Sequence, residues 1–240
     1  MPDKAQVITA VRAAFERERR INLHRFPVHM DFQDGVLTLE GEVGTIAGKK
    51  LAMELAIAVP GVTGIVDRLH VVPATPMGDG AILDAVRNAL LQESVLQNCT
   101  IRVKRKGKTE TVREALADPH GVIEVSVTEG VVLLDDHVTS LAQKRLAGVL
   151  AWWVPGSRDV INGMEVAPLQ ADSDQDVTKT VRLVLEKNRL IKSDGIRVTT
   201  HNYVVTLEGS VPTEAQKEMA EFDAWYVFGV DNVLNHLDVR

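Results

Sequence analysis

Apolar and polar positions alternate through GVLTLEGEV, from Gly35 to Val43, the pattern of a half-buried β-strand. The same pattern returns as GVVLLDDHV from Gly130 and as YVVTLEGSV from Tyr203. Nineteen residues after Gly41 comes Pro60-Gly61, followed by IVDRLHV. At the same distance from Asp136 comes Pro155-Gly156, then VINGMEV, and from Gly209 comes Phe228-Gly229, then VLNHLDV. No gap is needed across these spans, so the chain is a threefold repeat.

Each repeat opens with an apolar stripe at i, i+4, i+7 and i+8: Val7, Val11, Ala14 and Phe15; Ile82, Val86, Ala89 and Leu90; Val177, Val181, Val184 and Leu185. That spacing predicts a helix packed on one side. Asp3, Asp79, Asp174 and Asp176 precede or begin the stripes, where they are expected to cap free helix amides. A hairpin follows, turning at Gln33-Asp34-Gly35 in the first repeat, before Gly130 in the second and at His201-Asn202 in the third. Gly41 and Gly209 are expected where the second strand ends, with Asp136 in their place in the second repeat. A second helix begins at Thr45, Ser140 or Thr213; Ser140 with Gln143 and Thr213 with Gln216 have capping-box spacing. These helices are expected to close at Gly61, Gly156 and Gly229 in the left-handed conformation. A last strand completes the order α-β-β-α-β. The fold class is α+β: three tandem units over 1–73, 78–168 and 174–240, each with two helices on a three-stranded mixed sheet. The short connectors Pro73-Ala74-Thr75-Pro76 and Pro168-Leu169-Gln170-Ala171 predict a compact or gently curved array of units.

Composition narrows the function classes. Net charge is −6 and apolar content 45%, the profile of a globular protein rather than a basic nucleic-acid binder. No run of about 18 apolar residues suggests a membrane span, and the N-terminus has helix periodicity rather than that of a signal peptide. The expected setting is cytoplasmic, or periplasmic if a leader has been removed. Cys99 is the single cysteine, which excludes an internal disulfide or a cysteine-based zinc site.

Three features bear on chemistry. Fifty residues separate Val86 from Asp136, against thirty and twenty-eight for the matching positions of the other repeats. An insertion of about twenty residues therefore sits near 99–120, carrying Arg102, Lys104, Arg105, Lys106 and Lys108. These cations could draw an anionic membrane or phosphate; alternatively they form a solvated loop paired with Glu110, Glu114 or Asp118. Trp152, Trp153, Trp225 and Tyr226 lie at the ends of second helices, with Trp152 and Trp225 at one repeat position. Rings there suit core and inter-repeat packing, or a lipid interface. The seven histidines share no repeat position and lack ligand spacing, so no metal or cofactor is expected. No nucleophile elbow, P-loop or dinucleotide fingerprint is present, and the chain reads as a binding protein rather than an enzyme.

The strand Val36 to Gly41, its partner Val204 to Gly209, the helix LAMELAIAVPGV and the run GIVDRLHV resemble the BON domain, a small bacterial α/β module often found in tandem. The resemblance covers all three repeats. It implies a role in phospholipid binding and in envelope, osmotic or membrane stress, with an anionic phospholipid surface or another protein as partner. One relative implies an alternative, sensing of potassium or a small ligand. A structural interaction module is the third reading.

Overall fold

The computed structural model describes residues 3–116 and 120–240 and divides into two compact bodies, Met1–Val72 and Pro73–Arg240. The first body is the first repeat: α1 (Lys4–Arg17), β1 (Val28–Gln33), β2 (Val36–Val43), α2 (Ile46–Ile57) and β3 (Gly64–Val71). β1 and β2 form an antiparallel hairpin, and β2 runs parallel to β3 across α2. Alternation decides the faces. Leu37 and Leu39 are buried beneath the helices with Val7, Val11 and Phe15, while Val36 and Glu40 point the other way.

The second body holds the other two repeats. The second runs α3 (Asp79–Gln92), β4 (Thr100–Arg105), β5 (Lys108–Arg113), β6 (Gly121–Thr128), β7 (Val131–Val138), α4 (Leu141–Trp152), β8 (Asp159–Asn162) and β9 (Glu165–Val166). The third is α5 (Asp174–Lys187), β10 (Ile196–His201), β11 (Val204–Val211), α6 (Glu214–Tyr226) and β12 (Asn232–Val239). It reproduces the three-stranded mixed sheet of the first, in the order β10-β11-β12. In the second repeat the expected three strands become six, in the order β5-β4-β6-β7-β8 with β9 also on β7. The inserted residues are a hairpin, β4–β5, joined to the sheet by parallel pairing of β4 with β6. Ile101 and Val103 on its inner face are buried, which anchors it to the core.

Every hairpin closes on two residues with positive φ: Asp34-Gly35, Lys106-Gly107, Glu129-Gly130 and Asn202-Tyr203. The third-repeat turn lies one residue later than expected, with a tyrosine where the first two repeats have glycine. Gly41 and Gly209 are not at strand ends but inside β2 and β11, with φ of +143° and +118°; Asp136 takes the same left-handed turn at +81°. The strand kinks there and lets the neighbouring backbone come close: a Cβ on Gly209 would lie 2.0 Å from the Gly195 carbonyl oxygen. Gly61 and Gly229 have positive φ after their helices, but Gly156 does not. Its small size is used differently, because a Cβ there would lie 2.5 Å from Cβ of Met77.

The capping expectations also change. Thr45, Ser140 and Thr213 accept from the amides of Gly48, Gln143 and Gln216 as expected. The reciprocal half of the box is redirected: Gln143 accepts from Thr139 N, and Gln216 from Lys192 N. Asp3 makes no side-chain cap, and Asp79 and Asp174 do not cap their helices. Their carboxylates reach across to the hairpin turns, Asp79 to the amides of Glu129 and Gly130 and Asp174 to those of Asn202 and Tyr203. Ser173 caps α5 instead, accepting from Asp176 N. A turn amide pair is a stronger attraction for these aspartates because both of its N–H groups converge on one carboxylate.

Candidate functional site

The inserted hairpin divides its cations between two faces. Arg102 and Lys104 alternate with buried Ile101 and Val103, so they stand on the face away from the helices. Arg102 Nη1 lies 3.9 Å from Asp136 and Lys104 Nζ 3.8 Å from Glu124. Arg105 shares the helix side and reaches Asp84 of α3 at 2.7 Å. The pairing expected with Glu110 and Glu114 is therefore replaced by anions from α3, β6 and β7, while Asp118 falls outside the described residues. At the tip, Lys106 enters the turn at φ +50°. Arg105 and Lys108 are directly opposed across the last rung of the hairpin. Like charges in that position oppose strand pairing. The tip thus concentrates positive charge that its own hairpin does not neutralise.

The aromatic residues meet elsewhere, in the joint between the second and third repeats. Trp152, at the end of α4, stacks on Tyr226, at the end of α6, with ring centroids 5.6 Å apart. Trp153 donates from Nε1 to Asp223 Oδ1 at 2.7 Å, and Asn188 donates from Nδ2 to Asp223 Oδ2 at 2.7 Å. Trp225 is fully buried, whereas Ile57 at the same repeat position is 47% exposed. A fully buried ring cannot enter a lipid interface. Burial pushes the Asp223 carboxyl up to about 6, against the pull of its hydrogen bonds to Asn188 and Trp153. Tyr226 is pushed up to about 12, by burial first and then by the Asp223 charge.

Ion pairs complete this joint. Arg145 of α4 is fully buried; its Nε donates to Phe228 O at 2.8 Å, and its Nη2 lies 2.7 and 2.6 Å from the two carboxylate oxygens of Asp172. Lys187 of α5 meets Glu93, just beyond α3, at 2.9 Å. Lys144 lies 4.9 Å above the Phe228 ring, where burial lowers its pKa. Sequence reasoning singled out the rings and missed these partners. One signal was available: Asp223 stands where the first two repeats have Leu55 and Leu150, a charge inside an apolar stripe.

Cys99 is buried, and burial raises its pKa, as expected for an unreactive thiol. Among the described residues, no group of three or more His, Cys, Asp or Glu side chains could hold a metal, and no helix is long and apolar enough to cross a membrane.

The BON-domain family model matches residues 3–73, 106–168 and 173–240. Osmotically-inducible protein Y of Escherichia coli (strain K12) is 30% identical over an alignment of 142 positions that covers 55% of this chain and 71% of that protein. Among solved structures, the C-terminal domain of CdsD, the structural protein of the type III secretion system of Chlamydia trachomatis, aligns over 100% of both chains at 14% identity with a TM-score of 0.26. A second CdsD structure aligns over 98% of this chain and 92% of its own, at 15% identity and a TM-score of 0.25. Scores that low carry no structural argument. The second family match begins inside the inserted hairpin, at Lys106, and leaves α3 and β4 out. The fold nevertheless packs α3 on β6 and β4, as α1 packs on β1 and α5 on β10. With matches across all three repeats, the chain belongs to the BON-domain family.

Proposed function

We propose that this is a non-enzymatic binding protein that associates reversibly with anionic phospholipid surfaces during osmotic stress, through the β4–β5 hairpin. The observation that carries the reading is the hairpin tip, where Arg105 opposes Lys108 and Lys106 occupies the turn between them. Asp84 of α3 answers Arg105, which leaves Lys106 and Lys108 as the tip cations that approaching phosphate groups would meet. Each cation near an anionic surface contributes on the order of 1 kcal/mol, so Lys106 and Lys108 at the tip, with Arg105 held by Asp84, give weak, reversible, salt-sensitive attachment. Osmotic stress enters from the name of the Escherichia coli relative. The aromatic joint takes no part in this contact.

Flotation with vesicles tests the reading. The protein should float with vesicles containing anionic phospholipid at low salt, and not with neutral phosphatidylcholine. Sodium chloride should release it, whereas sucrose of equal osmolality should not. Lys106→Gln with Lys108→Gln should remove most of the binding. Unchanged flotation of that variant would refute the role of the hairpin, and no flotation of the unaltered chain at low salt would refute the lipid reading.

A further inference from the structure

The joint between the second and third repeats is held partly through a carboxylate whose two partners are both neutral. Asp223 is 3% exposed; one oxygen takes the Trp153 indole N–H from the second repeat and the other the Asn188 amide from the end of α5. Two other links of the joint bring opposite charges together, Glu93 with Lys187 and Asp172 with Arg145, whose Nε also donates to Phe228 O. An ionised carboxylate enclosed by neutral donors has lost its water without gaining a countercharge. We propose that Asp223 makes this joint proton-operated: the second and third repeats are clamped together more firmly when its carboxyl is protonated, and the clamp loosens when it ionises. The inference is independent of the lipid reading, since it involves none of the hairpin cations.

The sign follows from burial. Asp223 rises from an ordinary 3.8 to about 6 in the closed joint. A group that holds its proton more tightly when closed adds stability that is fully present below the ordinary value and is lost as pH rises through about 6. A separation of about two pH units corresponds to roughly a hundredfold change in the ratio of closed to open joint.

Other groups around Asp223 do not supply the same transition. α4, α5 and α6 contain no histidine. Tyr226, on the same helix, is raised to about 12 and stays neutral. From α5 comes Lys187, held by Glu93; burial raises that glutamate, but the Val95 amide and Lys187 outweigh it, and its pKa is lowered. From α4 come Lys144, over the Phe228 ring, and Arg145, held by Asp172.

The chain carries its own probe. Two of the three tryptophans make contacts across this joint, Trp152 stacked on Tyr226 and Trp153 bonded to Asp223 itself. Tryptophan emission of the full chain should follow a one-proton transition between pH 8 and 5 with a midpoint near 6. Asp223→Asn should abolish it, and Trp153→Phe, which removes one donor to the carboxylate, should move the midpoint upward. Hydrogen exchange in α4 to α6, corrected for intrinsic rates, should show about tenfold more protection at pH 5 than at pH 7.5, with no difference in Asp223→Asn. A transition that persists in Asp223→Asn, or equal protection at both pH values in the unaltered chain, overturns the proposal. Should Asp223→Asn fail to fold, a Trp153→Phe midpoint that stays put or falls overturns it as well.

Discussion

Asp174, in the first turn of α5, accepts the Tyr203 backbone N–H at 2.9 Å and so holds a tyrosine at φ +61°, a conformation other repeats give to glycine. The helix and the hairpin turn are fastened by one carboxylate, which also takes the Asn202 amide at 2.8 Å. Asp79 does the same for Glu129 and Gly130. In the first repeat the matching residue is Lys4, which pairs with Asp31 of β1 instead.

Tyr203→Gly should therefore stabilise the third repeat. It creates an Asn-Gly turn and removes a strain of about 1 kcal/mol, partly offset by lost side-chain packing. Thermal melting should show the midpoint rising. Asp174→Ala should lower it, and the lowering should be larger in the unaltered Tyr203 background than in Tyr203→Gly. The Tyr203 amide, its largest influence, holds the Asp174 carboxyl below the usual range. A group with a lowered folded pKa loses its stabilising contribution as pH falls through that value, so the Asp174→Ala defect should fade in acid.

The kinked strands make a second prediction. Gly209→Ala places Cβ 2.0 Å from Gly195 O, whereas Gly41→Ala meets Pro27 O at 2.8 Å. Both also force a side chain into positive φ. Gly209→Ala should cost roughly 2–4 kcal/mol and Gly41→Ala less. Urea unfolding followed by circular dichroism would order the two, and an equal or reversed order would contradict the geometry.

Arg145 is the most demanding residue of the joint, fully buried between Asp172 and Phe228 O. Arg145→Ala takes the cation from Asp172, which keeps the Ser173 amide, and the donor from Phe228 O, and should destabilise by about 3–5 kcal/mol. Lysine should not rescue it, because an ammonium cannot donate from both Nε and Nη2 positions at once. Calorimetry should show the loss in the transition of the second body.

Lys187→Met should leave Glu93 buried without its cation and weaken the joint by roughly 1–3 kcal/mol at neutral pH. The defect should diminish as Glu93 protonates in acid, opposite in sign to the Asp223 effect. A Lys187→Met variant whose urea midpoint matches the unaltered chain at pH 7 would show that this pair holds nothing.

Periodicity of 2 and 3.6 residues marked the strands and helices, and side-chain caps at Thr45, Ser140 and Thr213 marked where helices begin, because these are set by interactions within a few residues. Local pattern was therefore enough to read three α-β-β-α-β units and the inner face of each. Tertiary structure decided which distant groups those faces meet. It seated Ile101 and Val103 in the core so that the insertion became two more strands, and it gave Arg102, Lys104 and Arg105 to Asp136, Glu124 and Asp84 rather than to nearer acids. It also drew Asp79 and Asp174 off their own helices and brought Asp223 to Trp153 across seventy residues. An alternating pattern tells which side of an element is buried; it holds no information about which polar groups from far along the chain share that burial, and those pairings fix the charge of the site.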